Sequence, residues 1–74
     1  MAVEKGSTFI GRDVYIDYPY MRVMFRSDYA SKNLYIRSYG KAEFPTPIGD
    51  DNEMFNEAVQ YGVEISRDEY LRGK

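Results

Sequence analysis

A chain of 74 residues without one cysteine or histidine has no disulfide and no ordinary zinc framework to hold it together. Whatever it folds into must be held by packing. A domain of this size buries only about 60% of the surface its unfolded chain exposes, so its stability is marginal. It therefore needs a dense aromatic core, or an oligomeric or complexed state. Eight tyrosines and four phenylalanines suit both needs. The length allows one domain, residues 1–74, and the hydrophobic fraction of 43% with mixed charges argues for a folded one.

The charges divide along the chain. Residues 12–41 carry six basic and three acidic side chains, and residues 42–74 carry three basic and eight acidic ones. Such asymmetry fits a charged partner, or two halves that neutralise each other across the fold. "MAVEKGSTFIG" lacks the positive start and long apolar run of a signal peptide, and no stretch approaches the roughly 20 apolar residues of a membrane span. The expectation is a cytoplasmic protein away from membranes.

Four strands and two helices can be read from the pattern. "TFI" and "VYIDY" flank a turn at Gly11 and Asp13, and Pro19 interrupts them. "YMRVMFR", 20–26, and "LYIRSY", 34–39, flank the turn-rich "SDYASKN". Pro45 and Pro47 make 41–49 a non-helical connector, anchored by Phe44 and Ile48. A helix over 51–61 follows, with Asp50 as cap and Glu53 as its capping-box partner. Met54, Phe55, Ala58, Val59 and Tyr61 form its apolar stripe, Gly62 takes the left-handed C′ position, and Val63 folds back on Ala58. "VEIS", 63–66, is extended. "SRDE" is a second capping box, opening a short helix over 67–72 whose Tyr70 and Leu71 must dock on something. The order predicts an α+β fold: a small antiparallel sheet of three to four strands with the helices on one face. A small open barrel closed by the helices is the alternative.

Strand parity divides the central hairpin. Val14, Ile16 and Tyr18, Met21, Val23 and Phe25, and Leu34 and Ile36 point to the core. Tyr15 and Asp17 join an outer face of Arg22, Met24, Arg26, Tyr35, Arg37 and Tyr39. Two registers keep these sets together. One sets Arg22 against Arg37. The other sets Arg26 against Tyr35 and Arg22 against Tyr39, and is preferred because it avoids opposed like charges and gains cation–π contacts.

An outer face of this composition suits a protein partner, because tyrosine and arginine dominate interface hot spots and methionine is enriched at interfaces. The candidate partner-binding residues are Arg22, Met24, Arg26, Tyr35, Arg37 and Tyr39, with Tyr29 from the loop tip. Single-stranded nucleic acid is the alternative ligand, with arginines on phosphates and tyrosines under bases. The acidic sequence pI near 5.0 argues against it.

The acids "DDNE", 50–53, lack the spacing of a calcium loop and read as helix capping, or as part of an acidic face that imitates phosphates. Neither metal nor cofactor is called for. Without histidine, cysteine or a nucleotide-binding or hydrolase motif, catalysis is not expected. In size, lack of cysteine and aromatic, charged surface, the chain resembles small accessory proteins of phages and mobile elements. The reading is a small non-enzymatic regulator or inhibitor of a larger protein. A structural subunit of a homo-oligomer or virion is a further alternative.

Overall fold

The computed structural model describes residues 11–49 and 51–74. The strand expected at 8–10 and the cap expected at Asp50 lie outside them. Four antiparallel strands form one sheet in the order β3-β2-β1-β4. They are β1 Val14–Tyr18, β2 Val23–Asp28, β3 Asn33–Ser38 and β4 Val63–Ile65. The helices α1, Glu53–Tyr61, and α2, Arg67–Arg72, follow the hairpins.

Alternation sets the core as expected. Val14, Ile16 and Tyr18 of β1, Val23 and Phe25 of β2 and Leu34 of β3 are buried on one face, against Phe55, Ala58 and Val59 of α1. Phe25 and Phe55 meet edge-on with centroids 5.6 Å apart, a favoured aromatic geometry. The β2–β3 register sets Arg26 opposite Tyr35, and Tyr39 N–H donates to the Arg22 carbonyl at 3.0 Å. This is the register preferred on charge grounds.

Several local expectations are corrected. Pro19 opens a 3-10 turn over Pro19–Met21, closed by Arg22 in the left-handed region with φ 57. β2 therefore begins at Val23 rather than at residue 20, and Met21 is exposed instead of entering the core. The first helix begins at Glu53, capped by Asn52, whose side chain accepts from Phe55 N–H. Tyr61 is 73% exposed. At 100° per residue it lies roughly 110° round the helix from the centre of the buried set.

Gly62 is extended, with φ −83, and not left-handed. Close approach explains the glycine instead. A Cβ there would stand 2.6 Å from the Ala58 carbonyl oxygen and 2.7 Å from that of Asp17. Val63 accordingly enters β4, opposite Asp17, rather than folding back on Ala58.

The connector settles one edge of the sheet. Phe44 N–H donates to the Ile36 carbonyl and Ile48 N–H to that of Leu34, so residues 44–48 run along β3 and cover its outer edge. Ile48 packs against the core, but Phe44 is anchored by its backbone, with its ring exposed.

The second helix forms over the expected residues, with the full Ser66–Glu69 capping box. Its place is different. Tyr70 packs on Tyr15 with centroids 5.3 Å apart, and Tyr15 points away from α1. The helices thus lie on opposite faces of the sheet. A six-residue helix with one buried side chain carries no wide apolar stripe by which the sequence could announce its face.

Candidate interaction surface

The Arg/Tyr face exists, but α2 and the connector cover much of it. Arg26 pairs with Glu43 through two hydrogen bonds of 2.8 and 3.0 Å, while its guanidinium lies 4.4 Å from the Tyr35 ring centroid. Glu43 also accepts from the Tyr70 hydroxyl at 2.6 Å. Arg37 donates to the carbonyls of Lys41, Tyr70 and Leu71, neutralising the negative end of α2. Gly73, in the left-handed region with φ +74, follows directly, and any side chain there would run into the Arg37 guanidinium.

Asp17 and Met24 are corrections. Both were expected on an exposed face and both are buried, at 2% and 0% exposure. The Asp17 carboxylate accepts from the Tyr39 hydroxyl and from Lys74 Nζ at 2.5 Å. Its charge is therefore compensated, which makes its burial tolerable.

Of the seven candidate residues, then, Arg26, Arg37 and Tyr39 hold the chain to itself, and Met24 lies beneath them. Arg22 and Tyr29 remain exposed and Tyr35 half-buried. Tyr29 is held at the loop by Lys32, whose Nζ lies 3.4 Å from its ring centroid, and by its N–H donating to Asp13. A shallow cleft of about 470 Å³ remains between this face and α2, lined by Arg26, Arg37, Glu43, Arg67 and Tyr70 among others.

These contacts set protonation. The hydrogen bond from Arg26 holds the Glu43 carboxyl below its usual range, against the opposing effect of burial. Burial, then the Glu43 hydrogen bond, pushes the Tyr70 hydroxyl well up, and burial followed by Asp17 does the same to Tyr39. A depressed carboxyl means that the unfolded chain binds the extra proton first. The Glu43 contribution to stability is therefore present above pH ~4.5 and is lost as pH falls through its lower folded-state pKa. The raised tyrosines act at the other end: their contribution is intact below pH ~10 and fades above it. Urea melts across pH should show both losses, and Glu43→Gln should flatten part of the acid limb. An unchanged acid limb would contradict the assignment to Glu43.

Elsewhere, large apolar groups stand in solvent. Tyr20 is 84% exposed and Met21 44%. Tyr20 packs loosely on Tyr18, with centroids 6.1 Å apart, and the Tyr18 hydroxyl donates to Glu57 of α1 at 3.0 Å. Tyr61 lies one helical turn beyond Glu57. Both were placed wrongly by pattern: Met21 by alternation, Tyr61 by the helical stripe. The signal available was Pro19, which ends the alternation that would have carried Met21 inward.

Comparison with known proteins decides the family. The profile described as "Tis1 immunity protein" matches residues 1–74. The chain belongs to the Tis1 immunity protein family. The Tis1 immune protein of Pseudomonas aeruginosa strain UCBPP-PA14 is 47% identical over 73 residues, spanning 99% of this chain and 95% of that one. A solved structure, the crystal structure of the complex between the Type VI effector Tas1 and its immunity protein, contains a chain of the same fold. Its TM-score is 0.94 at 46% identity, covering 97% of this chain and 95% of that one. The described residues of this Tis1 family member form a four-stranded antiparallel sheet between two helices. Among the described residues of this member, no helix is long and apolar enough to cross a membrane.

Proposed function

We propose that this chain is an immunity protein that binds the Type VI effector Tas1 and inhibits it by stoichiometric association, without chemistry of its own. The observation that carries the reading is the likeness, at 46% identity and TM-score 0.94, to the immunity protein solved in complex with Tas1. The surface agrees with it. Large aromatic side chains stand in solvent at Tyr20 and Tyr61, and residues of this type anchor protein interfaces. Within the Arg/Tyr face, Arg22, Tyr29 and Tyr35 are the residues with surface left to offer a partner. The nucleic-acid alternative loses support, because Arg26 and Arg37 are engaged by Glu43 and by the end of α2.

Mixing the purified chain with Tas1 should yield one complex on size exclusion, with 1:1 stoichiometry by calorimetry. Cells producing the effector should grow better when they also produce the chain. Separate elution at micromolar concentrations, by a chain shown to be folded, would sink the reading.

A further inference from the structure

We infer that the effector docks on the outer ridge formed by α1 and the Pro19–Met21 turn, with Tyr20, Met21 and Tyr61 as apolar anchors and Glu53 and Glu57 facing a basic patch on the effector. This rests on the effector-binding reading above and names its surface.

Exposure is the first argument. Tyr20 and Tyr61 are the two most solvent-exposed large apolar side chains among the described residues, at 84% and 73%. They are not scattered. Tyr20 packs on the ring of Tyr18, whose hydroxyl reaches α1, and Tyr61 stands one helical turn beyond Glu57. Glu57 links the two halves by accepting from that hydroxyl.

Presentation is the second. Pro19 fixes one end of the 3-10 turn. At the other end Arg22 is held in the left-handed region, its N–H donating to the Pro19 carbonyl at 3.0 Å. A non-glycine residue there costs of order 1 kcal/mol, and such outliers often mark functional segments. A turn already held in one conformation loses little freedom on binding, and tyrosine has few rotors to immobilise.

Charge identifies the occupant. Residues 50–64 hold five carboxylates and no basic residue. Glu53 and Glu57 are exposed on the strip of α1 that leads to Tyr61. An apolar centre with an acidic rim is complementary to a basic protein surface. Nucleic acid, being polyanionic, is repelled by the same rim.

The test is calorimetry with purified Tas1. Tyr20→Ala and Tyr61→Ala should each weaken binding by about 30-fold or more, the hot-spot threshold of ~2 kcal/mol at ~1.4 kcal/mol per tenfold. Both side chains stand in solvent, so thermal melts should stay close to the parent's. Glu53→Gln should slow association and reduce its salt dependence. Phe44→Ala and Leu71→Ala, exposed apolar side chains on the connector and on α2, should change Kd by less than about 3-fold, within the range of near-neutral positions.

Folded Tyr20→Ala and Tyr61→Ala variants that bind as tightly as the parent would overturn the assigned surface while leaving effector binding intact. A parent chain that does not bind Tas1 overturns the effector reading itself, and this inference with it. So does a parent that self-associates through Tyr20 and Tyr61 and ignores Tas1, since the ridge then belongs to a dimer.

Discussion

Gly62→Ala should destabilise the domain by about 3 kcal/mol, the upper end of what overpacking costs. The backbone is extended there, so alanine could adopt the conformation. Space is what is lacking. The new methyl would meet the carbonyl oxygens of Ala58 at 2.6 Å and Asp17 at 2.7 Å, and Ile16 Cγ2 at 3.0 Å. The two oxygens belong to α1 and β1, so relief requires the helix to lift from the sheet. At roughly 4–8 °C per kcal/mol for a domain of this size, the melting midpoint should fall by about 10–25 °C. Gly49→Ala is the control, because its methyl meets only the Asp51 side chain, which can swing away. Equal melts for Gly62→Ala and the parent would mean that α1 and β1 are not in such close contact.

Asp17→Ala should cost about 2–4 kcal/mol, because it leaves the Tyr39 hydroxyl and the Lys74 ammonium without their acceptor. The loss is tempered by Lys74, which is 44% exposed and can turn to water. Asp17→Asn keeps an acceptor for Tyr39 and gives up only the charge, so it should sit between the alanine variant and the parent. Lys74→Ala should be the mildest of the three, provided Tyr39 still donates to the carboxylate. Denaturant midpoints would rank them. An alanine variant as stable as the parent would show that the buried carboxylate contributes nothing net, an outcome known for some buried ion pairs.

The two halves of the sheet were not equally legible in the sequence. Alternation found Val14, Ile16, Tyr18, Val23, Phe25 and Leu34, because a half-buried strand writes its buried face at every second residue. Charge logic found the hairpin register, because only one alignment keeps Arg22 away from Arg37. The Ser66–Glu69 box found α2, since capping is a local matter. The covering of the opposite face was not legible. It depends on Tyr70, Glu43 and Lys74 meeting Tyr15, Arg26 and Asp17 from distant parts of the chain, and no period links them. One hint was present: Met24 is apolar, and an apolar residue amid arginines asks for a cover. The exposed tyrosines were hidden for the converse reason. Tyr20 follows a proline that breaks the strand, and Tyr61 sits at the margin of a helical stripe, where burial is decided by the neighbouring element.

Lys74 and Gly73 give this fold a particular order of events during synthesis. The Gly40 N–H donates to the Gly73 carbonyl and Lys74 reaches Asp17, so Gly73 and Lys74 close the sheet face that β1 and β2 open. A nascent chain can pair its three N-terminal strands early. It cannot seal Met24 and Asp17, or seat Tyr70, until residue 74 has cleared the ribosome. Residues 70–74 are thereby the last of the described fold to be made, and a chain lacking Gly73 and Lys74 would be left with an open, polar-lined seam.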